Sequence, residues 1–184
     1  SMDRIQQGAM LMGAGLGMMA IPSAFVASTI ESQAALAGLS SMGVKDLQAI
    51  SDAAVDFSNQ WAGNTKADII AGSYEIKGAL DNLTDEAVGK FAQAVALTAT
   101  ATNASFAEMS AAFTTGYGVF KQTLAPNMDD MAWANMYSGA ITKVVAAYKS
   151  SGKEMADAIK NMGFQASSLG IPLQEQLALI GQLQ

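Results

Sequence analysis

Carboxylates are the only side chains in this 184-residue sequence that stand in pairs suited to chemistry. Asp85-Glu86 and Asp129-Asp130 are its adjacent acidic pairs. Converging carboxylates bind divalent cations or form the acid and base of a glycosidase. Neither pair lies in a calcium-loop pattern, and each falls where a helix is predicted to begin, a position that favours acids. We therefore interpret both pairs as first-turn helix residues and predict no catalytic residue, no metal and no cofactor.

The composition argues against most enzymes and against nucleic-acid binding. The chain has no His and no Cys, which excludes a Ser-His-Asp triad, a disulfide and a thiolate metal site. The net charge is −6, from 16 acids and 10 bases, and no run of Lys or Arg is present. A basic surface for a phosphate backbone is not expected. The sequence predicts a protein that is not an enzyme.

The elements that must position these residues are helices. Apolar residues recur every three or four positions, as in Val44, Leu47, Ile50, Ala54, Phe57 and Trp61. Capping boxes, which mark helix starts, occur at Thr65–Asp68, Ser105–Glu108 and Ser151–Glu154. No apolar/polar alternation of strand length stands out. The predicted fold is all-α, with short helices packed as antiparallel hairpins in a helical bundle and no β-sheet.

The stretch FSNQWAGNTKADIIAGSYEI predicts a helix–turn–helix joint. Trp61 closes one helix, Gly63 lies in the break, and Thr65 with Asp68 caps the next helix. Trp61 and Tyr74 fall at helix-face spacing, so we expect them to pack in the core or between helices. Stacking on sugars or bases is the alternative, and flanking basic residues are lacking for it.

Two later helices have predicted ends. The helix opened by Ser105 is expected to carry Met109, Phe113, Tyr117, Phe120 and Leu124 and to end at Pro126-Asn127. The helix opened by Ser151 is expected to end at Gly163.

The N-terminal part contains 26 consecutive uncharged residues, Ile5 to Ile30. Gly13 and Gly17 have the GxxxG spacing of helix-dimerisation faces. One interpretation is a helix buried against other helices; the alternative is a conditional membrane segment. We divide the chain into an Ala/Gly/Met-rich segment, residues 1–30, and a helical domain, residues 31–184. The last helix lacks a stop signal, so we expect a fragment of a longer chain.

Several segments in order resemble the conserved core region of phage tail tape measure proteins. They are AALAG, FSNQWAG with TKAD, SYEI, ALTATATNASFAEM, TTGYGVFK, SGKEMADAIKNMG and IPLQEQLALIGQLQ, which extend over most of residues 24–183. The resemblance implies a structural protein in the tail tube lumen of a phage or prophage virion. There its length would set tail length and scaffold the tube, with a further part in genome delivery.

The resemblance also implies partners: the tail tube protein, tail assembly chaperones and other tail proteins, met in the host cytoplasm during assembly. Self-association and host-membrane contact are possible from the GxxxG ridge and the uncharged run. The interface candidates are Gly13, Gly17, Trp61, Gly63, Thr65, Asp68, Tyr74, Ser105, Glu108, Ser151 and Glu154. The alternatives are a membrane-active module inserting through residues 5–30 and, less favoured, a cell-wall hydrolase segment.

Overall fold

The computed structural model describes residues 30–61, 63, 65–122, 125–168 and 171–182. Over these residues the chain forms eight α-helices and one π-helical segment, and none of them lies in a strand. The prediction of an all-α fold is confirmed. Gly13, Gly17 and the rest of residues 1–29 lie outside the described residues, so the interpretation of the uncharged run stays a prediction.

The helices follow one another through short connections. Their bounds are α1 Ile30–Ser41, α2 Leu47–Gln60, α3 Lys66–Ala79, α4 Asp85–Thr102, α5 Phe106–Gly116, the π-helical segment Tyr117–Lys121, α6 Asp130–Tyr148, α7 Gly152–Ser168 and α8 Leu173–Gln182.

Most helix contacts join a helix to the next one or the next but one along the chain. Helix α4 lies at the centre and contacts α2, α3, α5, α6 and α7. The most extensive contacts join alternate helices, which are parallel where their contacts give a direction. Gly38 of α1 meets Tyr74 of α3, and Met42 just beyond α1 meets Gly78, which fixes α1 and α3 in the same direction.

The core at the centre of the bundle is aromatic. The Phe91 ring of α4 makes an edge contact with Phe113 at 5.8 Å and stacks on Trp133 of α6 at 6.3 Å. Trp133 stacks in turn on Tyr137 at 4.6 Å, and both are fully buried. The Tyr137 hydroxyl donates to the Ala112 carbonyl at 3.2 Å. Buried aromatic pairs of this kind hold α4, α5 and α6 in register.

Two helix ends differ from the prediction. The helix opened by Ser105 does not stay α-helical, because Tyr117–Lys121 forms a π-helical turn in which Tyr117, Phe120 and Lys121 are all buried. Gly163 does not end α7, which continues to Ser168. A glycine costs a helix interior only about 1 kcal/mol, so a lone glycine is a weak stop signal that a helix can pass.

Candidate functional site

Trp61 lies at the end of α2, as predicted, but it is not buried. Its backbone N–H donates to the Phe57 carbonyl at 2.9 Å, and its extended backbone takes the chain out of the helix. The indole stacks on the Phe57 ring at 6.5 Å and remains 46% exposed. Of the two expected placements, the core is wrong for Trp61, because a residue that leaves the helix no longer follows the helix face.

The rest of the joint follows the sequence prediction closely. Gly63 has a φ of +113°, a left-handed conformation that side chains disfavour. Thr65 accepts from the Asp68 N–H at 3.2 Å, and the Thr65 N–H donates to the Asp68 carboxylate at 2.7 Å. This reciprocal pair is the predicted capping box, and it begins α3.

Tyr74 is also more exposed than its spacing suggested. It is 42% exposed and lies over Gly38 of α1, where an added Cβ would come within 2.5 Å of the ring. The tyrosine therefore covers a glycine on a neighbouring helix and leaves one ring face in water. Tyr74 therefore packs between helices, the second of the two expected placements, while α1 shields only part of the ring.

The other two capping boxes are present and meet each other. The Ser105 N–H donates to Glu108 at 2.9 Å, and the Ser151 N–H donates to Glu154 at 2.8 Å. These backbone hydrogen bonds lower the pKa of both glutamates. Lys153 lies 3.4 Å from Glu108 and so links the start of α7 to the start of α5.

An open channel runs beside the joint, with α4 as its floor and α2 and α6 as its walls. We name it the Trp61 channel; its volume is about 320 Å³. It is lined by Asp56, Phe57, Gln60, Trp61, Lys90, Gln93, Ala94, Leu97 and Asn135. Trp61 and Leu97, two of the exposed large apolar residues in the described chain, lie in it together. The other lining side chains are mainly polar or charged, so the two apolar residues lie in a mostly polar groove.

A polar cluster that the sequence did not predict joins the π-helical turn to α6. The Asp130 carboxylate accepts from the Tyr117 hydroxyl at 2.7 Å and pairs with Lys121 at 2.9 Å. Lys121, only 8% exposed, also lies 5.0 Å above the Tyr117 ring. In the sequence Lys121 was one isolated base among many. Its position one turn after Tyr117, on an otherwise apolar face, was the available signal.

The pKa shifts of these three side chains favour a structural link over a role in proton transfer. Burial raises the pKa of Asp130, but the hydrogen bonds from Lys121 and Tyr117 outweigh it, and the net pKa is lowered. Burial, then the hydrogen bond to Asp130, raises the pKa of the Tyr117 hydroxyl. The carboxylate is therefore ionised and the tyrosine neutral over the ordinary pH range, so the cluster acts as a fixed link between the π-helical turn and α6.

The two acidic pairs lie at helix starts in the structure. Asp129 caps α6 by accepting from the N–H groups of Met131 and Ala132, both at 3.0 Å. Asp85 accepts from the N–H of Lys45 at 2.8 Å and so joins the α1–α2 connection to the start of α4. In the part of the chain that the structure describes, no three acidic residues converge on a metal site. Likewise, none of the described helices has the length and apolarity to cross a membrane.

The comparisons with known proteins place this helical bundle in a class. Residues 51–184, from α2 to the C-terminus, match the family described as phage-related minor tail protein. The chain belongs to that family, and is therefore a structural, virion-associated protein that associates with other tail proteins. Comparison with curated proteins and with solved structures finds no match.

Proposed function

We propose that this chain is the core region of a tape measure protein, which sets tail length and scaffolds tube assembly from within the tube lumen. The observation that carries the proposal is the family match over residues 51–184, the region in which the tape-measure-like segments follow one another in order. The tail tube protein and the tail assembly chaperones are the proposed direct partners, and delivery of the genome is a further proposed role.

The helical bundle supports this role through its dimensions. Folded, a chain of 184 residues has a radius of gyration of about 16 Å. As one continuous helix it would span about 276 Å. The short helices are held by caps and side-chain packing, so the same helices can be laid end to end when neighbours in the tail replace those contacts. We propose a compact form before assembly and an extended form in the tail.

The length of the tail in the parent phage tests the proposal that this protein sets tail length. An in-frame duplication of residues 51–184 adds 134 residues and, if they are extended helix, lengthens the tail by about 200 Å in electron micrographs. A length-neutral substitution such as Trp61→Ala is the control and leaves tail length unchanged. Tails of normal length with the duplication present in the virion would exclude a measuring role.

We propose further that this part of the protein acts without catalysis. The support is the composition, which lacks His and Cys, and the assignment of both acidic pairs to helix starts. Purified chain is expected to leave a suspension of bacterial cell wall turbid, whereas a lysozyme control clears it. Clearing by the chain, abolished by Asp129→Asn or Asp85→Asn, would instead identify a hydrolase.

A further inference from the structure

We propose that the Trp61 channel is a binding site for a neutral saccharide. The indole of Trp61 is 46% exposed, and it stacks on the Phe57 ring with the two centroids 6.5 Å apart. A flat apolar ring that is held in this way can receive the C–H face of a sugar ring, as exposed aromatic side chains receive other flat ligands. The inference goes beyond the proposed role in tail assembly and does not rest on it.

The polar side chains around the indole supply the hydrogen bonds that sugar hydroxyls need. Asp56, Gln60 and Asn135 line the channel and are exposed. Within the part of the chain that the structure describes, none of the three side chains has a hydrogen bond or an ion pair to another residue. A carboxylate accepts several hydrogen bonds, and an amide both donates and accepts. A hydroxyl also does both, so a ring that carries several hydroxyls can take the place of the water on these groups.

The channel brings apolar and polar groups side by side at the size of a small ligand. Asp56 and Gln60 are one helical turn apart, as are Phe57 and Trp61, so a polar row lies next to an aromatic row. The floor formed by residues 90–97 of α4 is about 10 Å long. The volume of about 320 Å³ lies at the lower end of small-molecule sites, which range from roughly 300 to 1,000 Å³. A short saccharide therefore fits the channel.

The floor of the channel also carries a fixed hydrogen-bond acceptor. The amide nitrogen of Gln93 donates to the Ala53 carbonyl of α2 at 2.6 Å, and the side chain is half-buried. Within the described residues the amide oxygen of Gln93 has no partner. Its position is set before a ligand arrives, and a preorganised group loses less entropy on binding than a free side chain does. Gln93 therefore suits the recognition of a hydroxyl group.

The charges of the channel favour a neutral ligand. Among the described lining residues Lys90 is the base and Asp56 the acid, and Lys90 is already paired with Glu86 one turn before it in α4. Nucleic acids need uncompensated basic side chains for their phosphates, which this lining does not offer. An apolar helix would take water from the polar side chains without replacing its hydrogen bonds. Neutral hydroxyl groups avoid both costs.

Nuclear magnetic resonance of the indole N–H groups tests the site in the full chain. The chain has two tryptophans, of which Trp133 is fully buried, and Trp61→Phe assigns the two signals. The chain is titrated with chitotetraose, an oligomer of N-acetylglucosamine, and separately with maltotetraose, an oligomer of glucose. We expect a saturable shift of the Trp61 signal alone, with a dissociation constant on the order of millimolar. A shift with only one saccharide supports the proposal and distinguishes an amino-sugar glycan from a glucose polymer. A Trp61 signal that moves with neither overturns the proposal.

Two variants distinguish binding in the channel from binding elsewhere on the surface. Asn135→Leu keeps the size of an exposed side chain and removes its hydrogen bonds, so we expect the affinity to fall about fivefold, the loss of one net hydrogen bond. Tyr148→Ala is the control, because it removes an aromatic ring of similar exposure, 39%, from outside the channel. It should leave the affinity unchanged. No loss with Asn135→Leu, or equal losses in both variants, would overturn the proposal.

A short oligothymidylate tests the stacking of bases on Trp61. We expect it to leave the Trp61 signal in place, because the lining offers no uncompensated positive charge for its phosphates. A shift with the oligothymidylate and with neither saccharide would assign the channel to bases and overturn the proposal. Tail length in the duplication experiment does not depend on this site, so the failure of one proposal leaves the other standing.

Discussion

At the scale of single residues, Asp130 is the most consequential charge in the described bundle. Its carboxylate joins Lys121, which is nearly buried, to the Tyr117 hydroxyl. Removing one member of such a pair leaves the other charge without compensation in a poorly solvated place. The adjacent Asp129, only one residue away, is an exposed cap with no such partner role. The two neighbours therefore differ sharply in what their loss should cost.

We expect Asp130→Asn to lower the free energy of unfolding by about 2 kcal/mol, because Lys121 keeps its charge and loses its carboxylate. Asp129→Asn is the matched control and should change it by less than about 0.5 kcal/mol, since Asn caps helices as well as Asp does. Urea denaturation of both variants measures the difference. Equal effects would show that the ion pair contributes little.

The same cluster predicts the pH dependence of stability. The pKa of Asp130 is lower in the folded chain, so its contribution is present above the unfolded pKa of about 4 and is lost as pH falls. The pKa values of Lys121 and Tyr117 are raised, so their contributions are present below about pH 10 and are lost as pH rises.

Denaturation from pH 3 to pH 11 should therefore show a plateau near neutrality with a fall at each side. In Asp130→Asn the acid side should be shallower, and the glutamates Glu108 and Glu154 account for what remains of it. An acid limb of unchanged slope in the variant would contradict the assignment.

The capping box at the joint could be predicted from residue types, but the exposure of the two aromatic side chains there could not. Thr65 with Asp68 forms a capping box because four consecutive residues suffice to make one. Whether Trp61 and Tyr74 are covered depends on which helices pass near them, and that information is spread over distant parts of the chain. The Tyr117–Lys121–Asp130 cluster was missed for the same reason, since its members meet only after the π-helical turn and α6 pack together.

At the scale of elements, glycines set how closely the helices approach. A Cβ on Gly116 would come within 2.4 Å of the Tyr137 ring, and one on Gly72 within 1.9 Å of Phe106. By contrast, Gly139 in α6 has open space around its Cβ position. The first two allow close packing, whereas Gly139 only lowers the helix propensity of α6.

We expect Gly116→Ala to destabilise the chain by about 2 kcal/mol, because Tyr137 is fully buried and cannot move aside without disturbing the aromatic core. Gly139→Ala, a matched change in a helix with free space, should stabilise it by about 0.5 kcal/mol or more. Thermal melts of the two variants give the sign directly. Destabilisation by both would show that the space at Gly139 is occupied in solution.

The helices themselves were largely predictable, and their irregularities were not. Periodic apolar residues and capping boxes located the starts of α3, α5 and α7 because these signals are local. The π-helical turn at Tyr117–Lys121 has no counterpart in the apolar spacing, which an α-helix satisfies equally well. The continuation of α7 past Gly163 was not predictable because a single glycine is only a weak stop signal.

At the scale of the whole molecule, the compact bundle predicts a small particle in solution. X-ray scattering should give a radius of gyration of about 16 Å for the monomer. The reason is that each short helix is marginal alone and must bury its apolar side on a neighbour. A rod-like scattering curve for the isolated chain would contradict the compact form, and with it the proposed conversion on assembly.

The succession of contacts between a helix and its next or next-but-one neighbour has a kinetic consequence. Because most helix contacts join near neighbours along the chain, few contacts require the closure of a long loop, and this favours fast folding. Each helix can bury its apolar side once the next two helices have left the ribosome. The bundle can therefore form in stages during translation, before any tail protein is there to receive it.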